Sequence, residues 1–490
     1  MCEDGLLGLK EGLIPLRAVP LRLKPVPFNN ELNQTLLIST KGIMTKKQSK
    51  SHEVDRSSEN ILHTEANGGR EIEESGSTSG PLAVISRRAA DRLQAGHPWV
   101  YQSDVESVIA ASEEESVAAG SLITVTDSRG MLLGTALFSD SSQITLRLMS
   151  RDAIASRSDF LQLLRRRLRR ALQMRQDGMR LLQDTNACRL VFGEADELPG
   201  IVVDRYGELV ILQLLTQGTH VDDVRNVVVE VAREMIAPET ILERPDARIR
   251  ELEQLSMPSM EPLYSKDFHA PKLATIFELN GLRFHFDANA GQKTGAFLDQ
   301  RENYVAAALH GHGRALDVCT YQGGFALHLA RQCPQVTGVD VSRAALEVAE
   351  QNLDENRDRV LDHGRGVEWI EASAFDLLRD WSDTGEEFDT IVLDPPAFAK
   401  SKRAAEGALR GYKEMNLRAF KMLRPSGILV TCSCSHHVPL ADFHAVVAAA
   451  ASDAGKRVRL LETRGAAFDH PAILTIPETQ YLKCLICQVE

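Results

Sequence analysis

ALDVCTYQGGFALHLARQCPQVTGVD, residues 315–340, decides how this chain folds. An apolar strand leads into a loop with paired glycines, then an amphipathic helix, then a second strand closing on Asp340. In an open α/β sheet a nucleoside-bearing ligand lies across the carboxyl ends of the strands. Gly323 and Gly324 would let backbone approach that ligand with no Cβ in the way. A carboxylate at the end of the next strand accepts both hydroxyls of a ribose. The G-x-G-x-x-G dinucleotide pattern appears nowhere in the chain. A glycine pair alone is a common strand–helix turn. Followed by an acidic strand end, and by Asp394-Pro395-Pro396 after a further strand, it points to S-adenosylmethionine rather than a nicotinamide.

Outward from this stretch, strands are readable at ALDV, VTGVD, GVEWIEA, FDTIVLD, GILVTCS and RVRLLE, each separated by a helical pattern. Such alternation means a mostly parallel, doubly wound sheet with right-handed crossovers. Tyr481 to Val489 reads as a last strand returning antiparallel. The expected Rossmann-like domain runs over 277–490.

Toward the N-terminus, residues 157–275 read as a middle α/β domain. It opens with a basic helix, Arg157 to Arg180, whose Phe160, Leu164, Leu168 and Leu172 form one apolar stripe. Arg165, Arg166, Arg169 and Arg170 fan away from that stripe; they suit RNA phosphate contacts as well as a plain solvated face. Residues 82–150 read as a β-rich module: a strand, a basic helix, a His-Pro-Trp turn and a hairpin centred on Asp127-Ser128-Arg129-Gly130. Residues 1–80, with a Ser-, Glu-, Asn- and Gly-rich stretch from Lys50, lack the apolar content to order themselves.

The 490 residues accommodate three ordinary domains. No apolar run is long enough to span a membrane, and MCEDGLLGLKEG places acids where a secretory signal carries lysines. Eight scattered cysteines suit a reducing cytoplasm rather than a disulfide framework. A net charge of −12 argues against binding nucleic acid by bulk charge, while leaving a local basic groove open.

Several segments resemble, as an ordered set, the class I methyltransferases that carry an N-terminal PUA domain and modify cytosine in large-subunit ribosomal RNA. They are AGHPWVY, RLVFGEADELPGIVVDRYGELVILQ (189–213), GQKTGAFLDQREN (291–303), LDVCTYQGGFALHLA, VDVSRAALEVAEQN, LDPPAFAKSK, RGYKEMN and TCSCS. The resemblance covers roughly 82–490. It implies S-adenosylmethionine as donor, RNA as partner and C5 of a cytidine as acceptor. It assigns the cofactor to an edge built from Asp317, Cys319, Tyr321, Gln322, Gly323, Gly324, Asp340, Val341, Ser373 and Asp394.

The chemistry asks for a thiol. C5 of cytosine is a poor nucleophile, and a thiolate adding to C6 makes C5 reactive. TCSCS, at the ligand edge of the fifth strand, offers Cys432 and Cys434. Cys434 matches the family's nucleophile, but Cys432 lies two residues earlier on the same side of an extended strand, so spacing alone does not exclude it. Both would also serve as small buried apolar residues. Asp394 is placed to bond the amino group or protonated N3 of cytosine, although Asp before Pro also caps turns. Phe398 suits either the flipped base or the core, and Lys400 and Lys402 suit phosphate or plain solvent exposure.

The chain departs from the pattern in two places. The loop after FDTIVLDPP holds no cysteine, so a second thiol there cannot resolve the adduct. Ser373 stands where the family commonly has Asp, weakening the expected contact with the adenine amino group. Cys-x-Cys-x-His-His at 432–437 crowds its side chains too closely for zinc, and no metal is expected. Cys484 and Cys487 face opposite ways on a strand, so no redox dithiol is expected either. Two other functions fit the same fold: methylation of an exocyclic base amine, which needs no thiol, and a non-catalytic RNA-binding assembly factor. A homodimer is compatible with the sequence.

Overall fold

The alternation of strand and helix patterns builds what it predicts. In a computed structural model, residues 80–490 are described, apart from 113–115, 180–183, 290–294, 361–365 and 400–401. The expected disordered extension, the GQKT of 291–294 and Lys400 thus lie outside the described residues, as does the side chain of Lys402.

The first sheet contains β1 (Leu82–Ile85), β2 (Trp99–Tyr101), β3 (Val105–Ile109), β4 (Leu122–Asp127), β5 (Leu132–Phe138) and β6 (Ile144–Ser150), in the order β2-β6-β5-β4-β1-β3. Helix α1 (Arg87–Gln94) is capped by the Ser86 hydroxyl and buries Ala89, Ala90 and Leu93. The β4–β5 turn is fixed by Asp127, whose carboxylate accepts from the backbone N–H groups of Arg129 and Met131.

Helix α2 (Arg157–Met179) leads into a sheet of β7 (Ala187–Phe192), β8 (Ile201–Tyr206), β9 (Leu209–Leu214), β10 (Thr240–Glu243) and β11 (Tyr264–Ser265), with α3 (Asp222–Ile236) between β9 and β10 and α4 (Ala247–Leu252) before β11. The stripe Phe160, Leu164, Leu168 and Leu172 packs on one face with Val224, Val227, Val228 and Val231 of α3. Tyr206, Leu209 and Ile211 face the other way, against Phe277, Phe284 and Phe286 of the hairpin β12 (Ala274–Leu279) and β13 (Leu282–Asp287). Tyr206 stacks on Phe286 at 4.2 Å between ring centroids. Because both faces are covered, β9 reads LVILQL without alternation.

After α5 (Arg301–His310) come β14 (Arg314–Val318), α6 (Gly324–Leu329), β15 (Gln335–Asp340), α7 (Arg343–Glu355), α8 (Arg357–Val360), β16 (Gly366–Glu371), α9 (Ala374–Thr384), β17 (Phe388–Leu393), α10 (Ala405–Met422), β18 (Leu423–Ser433), α11 (Leu440–Asp453), β19 (Val458–Arg464) and β20 (Lys483–Val489). The sheet order is β16-β15-β14-β17-β18-β20-β19. All neighbours are parallel except β20, which is antiparallel to both β18 and β19. The order reverses between β14 and β17, the place where ligands of such sheets bind. Cys484 belongs to the core on one face of this sheet and Cys487 to the core on the other.

Buried polar contacts from the middle domain converge on Asp469 of the last one, donated by the Arg175 side chain and the Arg189 N–H. Arg301 donates to both oxygens of Asp469 at 3.0 and 3.1 Å, and both side chains are 0% exposed. Arg175 of α2 pairs with Asp196 at 2.6 and 2.8 Å and donates to the Asp469 carbonyl. Burial pushes the Asp469 carboxyl up, but His470, Arg301 and the Arg189 N–H outweigh it and hold the group below the usual carboxylate range.

Candidate active site

The carboxyl ends of β14, β15, β17 and β18 open on a cavity of about 410 Å³. Its walls include Cys319, Tyr321, Gln322, Gly324, Asp340, Val341, Ser373, Asp394 and Cys434, so most residues expected at the cofactor edge are brought together. Asp317 and Gly323 are not among the lining residues. Asp317 lies fully buried beneath the loop, where its Oδ2 accepts from the Thr320 hydroxyl at 2.6 Å and the Ala326 N–H at 2.9 Å. Burial raises its pKa to about 7, with repulsion from Asp340 adding to the effect.

The glycines have a packing reason as well. Gly323 adopts φ +85°, and a Cβ there would meet the Trp369 ring at 2.9 Å. A Cβ on Gly324 would come within 2.7 Å of the Tyr304 ring. Packing against these two rings is by itself enough to exclude side chains from both positions. Cys319 and Tyr321 also sit at positive φ, 65° and 51°, so the turn is strained and must be held.

Asp340, together with side chains that the sequence reading passed over, does the holding. Asp340 accepts from the Tyr321 N–H through Oδ2 and from the Ser342 N–H through Oδ1, both at 2.9 Å. Asn352 donates to the Gln322 carbonyl at 3.0 Å. Burial drives the His328 pKa down to about 3, so the ring is neutral. Its Nδ1–H then donates to the Gly324 carbonyl at 2.7 Å while Nε2 accepts from the Asn280 amide at 3.0 Å.

The Ser-Cys-Ser context separates the two candidate thiols. Ser433 donates to the Tyr412 hydroxyl at 2.9 Å, and the Tyr412 and Ser435 hydroxyls lie 2.9 Å apart. Both serines are 0% exposed, which turns the residue between them toward the cavity. Tyr412 comes from the RGYKEMN motif, which gains a structural role here. Cys434 Sγ lies 3.9 Å from the Pro395 carbonyl oxygen, beside Asp394. Cys432 is 0% exposed, within β18, paired in register with Cys484, and burial pushes its thiol up. The period-two argument for Cys432 stops applying because β18 ends at Ser433.

Lys483 lies beneath this loop, 5% exposed, donating to the carbonyls of Ser435 and Tyr481 at 2.7 Å each. Burial lowers its pKa to about 8, and the Cys434 thiolate partly counters that. The interaction is reciprocal: an ammonium there favours the thiolate of Cys434. Phe398 lines the cavity and packs against Tyr412 at 4.8 Å and Phe375 at 5.8 Å.

The arginine helix is more engaged than its sequence suggests. Arg165 pairs with Glu230 at 2.5 Å, Arg169 with Glu234 at 2.7 Å and Arg170 with Glu197 at 2.8 Å. Such exposed pairs are weak and exchangeable.

With this geometry in view, comparison with known proteins is direct. Residues 84–151 match the PUA-like domain family, and residues 268–468 match the S-adenosylmethionine-dependent methyltransferase family. Ribosomal RNA large subunit methyltransferase I of Klebsiella pneumoniae is 36% identical over 414 residues, covering 84% of this chain and 98% of the relative. The protein of the same name from Cronobacter sakazakii is 36% identical over 408 residues, 83% and 98% respectively. SMU.776, described as a methyltransferase and bound to SAH, superimposes with a TM-score of 0.67 over 83% of this chain and 99% of that one. At 17% identity it shares the fold.

S-adenosylmethionine is the cofactor of this family, and the residues present fit it. Asp340 is oriented by two backbone N–H groups and keeps acceptor capacity for a diol. Val341, 73% exposed on the cavity wall, offers apolar surface for a nucleobase to cover.

Proposed function

The chain belongs to the ribosomal RNA large subunit methyltransferase I family, and from that premise we propose that it methylates C5 of a cytidine in large-subunit ribosomal RNA through a covalent bond from Cys434 to C6. Asp340 would hold the ribose, with Tyr321, Gln322, Gly324, Val341 and Ser373 closing round the rest of the cofactor and Asp317 supporting the loop from beneath through Thr320 and the Ala326 N–H. When bound, S-adenosylmethionine supplies the electrophilic methyl.

The protein's part is to prepare the base. The Cys434 thiolate adds to C6, forming the S–C6 bond and moving an electron pair onto C5. Asp394, at the same wall, bonds the N3–H or the amino group, which draws electrons from C6 and eases that attack. Once C5 has taken the methyl, loss of the C5 proton to a base and breakage of the S–C6 bond restore the ring and release the thiolate. Lys483 holds a positive charge beneath the loop, which favours sulfur in its anionic form both before attack and on departure. RNA engagement falls to the PUA-like module, which suits RNA shape and ends, and to the arginines of α2, which can exchange Glu230, Glu234 and Glu197 for phosphates. Seven free cysteines among the described residues suit a reducing cytoplasm.

One observation carries this reading: Cys434 and Asp394 share a cavity with Asp340 and Gly324. The test is mass mapping of methylated nucleotides in ribosomal RNA from cells with and without the gene. Loss of a single 5-methylcytidine is expected. Loss of a methylated exocyclic amine instead would move the assignment to the thiol-independent chemistry, and no change at all would leave a binding role.

A further inference from the structure

A second cavity of about 400 Å³ opens beside the first and shares Ala296, Phe297 and Asp299 with it. Segments of all three regions wall it: Trp99 from the first sheet, Phe192 and Gln213 from the middle sheet, His436 and Tyr481 from the last. His436 lies two residues beyond Cys434, so one loop serves both cavities.

Its walls are aromatic and held in place. His436 and Tyr481 stack at 5.4 Å with 28° between planes. Phe192 lies 5.3 Å from the His470 ring and 6.1 Å from Tyr481. The Trp99 indole N–H donates to Glu194 at 3.0 Å, and the Tyr481 hydroxyl donates to Asp299 at 2.5 Å. Gln213 is the unexpected member. It interrupts the doubly buried strand LVILQL, is 7% exposed, and its Nε2 has no hydrogen-bond partner. A buried amide without an acceptor costs stability, and a leucine there would not.

The described walls do not suit phosphate. The one arginine among the described lining residues, Arg189, is taken by Asp204 at 2.8 and 3.0 Å, and the carboxylates of Glu194, Asp246, Asp299 and Glu478 line the cavity as well. Flat aromatic faces, an amide donor and carboxylate acceptors are instead the components that bind an unstacked nucleobase and read its edge.

We propose that this second cavity receives the base of the nucleotide next to the methylated one. His436, Tyr481 and Phe192 supply the stacking faces, and Gln213 bonds an acceptor on the base edge. The assignment rests on RNA being the substrate. It follows from the shared wall, because a base entering the first cavity brings its neighbour within reach of the second across Phe297 and Asp299.

The test uses the full chain with S-adenosylhomocysteine present and fluorescently labelled single-stranded RNAs that carry one central cytidine, intact or abasic at either flanking position. Removing the base at one flank should weaken binding to the wild-type protein about tenfold, the scale of one lost stacking contact. In His436→Ala that penalty should fall below about threefold. Gln213→Leu suits an apolar strand and so should fold; it should keep the stacking penalty but lose any preference among the four bases at that flank. An abasic penalty that is absent, or equal at both flanks and unchanged in the variants, would overturn the proposal and make the cavity a gap between domains. Methylation assays on the same RNAs separate this from the cytosine reading. Flank coupling with a guanosine or adenosine as the methylated base supports the subsite and removes the cytosine assignment. Methylated cytidine without coupling does the reverse.

Discussion

Replacing Asp469 with Asn tests the buried ion pair between α5 and the segment after β19, where contacts from the middle domain converge. The substitution preserves shape but removes a charge that faces Arg301 at 3.0 and 3.1 Å, with both residues 0% exposed. Arg301 would remain buried with only the half-exposed Glu302, 3.7 Å away, as counter-ion, and breaking a buried pair by removing one partner typically costs about 3–5 kcal/mol. Asn keeps one oxygen for the Arg189 N–H, which now donates at 2.9 Å, so the lower end, about 3 kcal/mol, is expected. Urea unfolding of the wild-type and Asp469→Asn proteins at pH 7 measures it. Arg410→Ala, which removes an exposed pair with Glu406, is the control and should cost under about 1 kcal/mol. The pH dependence has a definite sign. A carboxyl held below its unfolded pKa of about 3.9 contributes stability above that value and loses it as pH falls through the lower folded value. The gap between the two proteins should therefore persist from pH 5 to 8 and close only in stronger acid. A cost at pH 7 no larger than that of the exposed control would refute the reasoning.

Other outcomes follow from the site. Asp340→Ala removes the acceptor of the Tyr321 and Ser342 N–H groups as well as the expected ribose contacts; calorimetric affinity for S-adenosylmethionine should fall by on the order of 1–3 kcal/mol, and unchanged affinity would remove the assignment. Lys483→Met should raise the pH midpoint for alkylation of Cys434 by iodoacetamide by roughly one unit, whereas Lys483→Arg should shift it much less; identical profiles would make Lys483 a purely structural residue. Neutralising Arg165, Arg166, Arg169 and Arg170 together should weaken RNA binding and flatten its dependence on salt. If affinity and slope both survive, α2 is a structural face alone.

Much of the fold was legible because it is local. Strand–helix alternation from Ala315 onward gives the parallel sheet, and Tyr481 to Val489 reads as the antiparallel strand that becomes β20. The glycine turn, Asp340 and Asp394 follow from motif spacing and do meet at one cavity. Long-range contacts stayed hidden. Arg301 and Asp469 are separated by 168 residues, and Arg175 reaches the Asp469 carbonyl across 294, so no window of sequence contains both partners. The basic helix shows its charges in sequence but not Glu230, Glu234 and Glu197. Spacing left Cys432 and Cys434 equivalent; what separates them is Tyr412, which anchors the serines from 21 and 23 residues away. The glycine pair was visible, yet the rings of Tyr304 and Trp369 packed against it were not.

Covalent trapping bears most directly on Cys434. An RNA carrying 5-fluorocytidine at the modified position, mixed with the protein and S-adenosylmethionine, should form a stable adduct, because fluorine cannot leave C5 as a proton and elimination stalls. The adduct should form with the wild-type protein and with Cys432→Ser. Cys434→Ser should yield neither adduct on this RNA nor methylation of the unmodified one. Robust methylation by Cys434→Ser would contradict the C5 mechanism and favour transfer to an exocyclic amine, which needs no thiol.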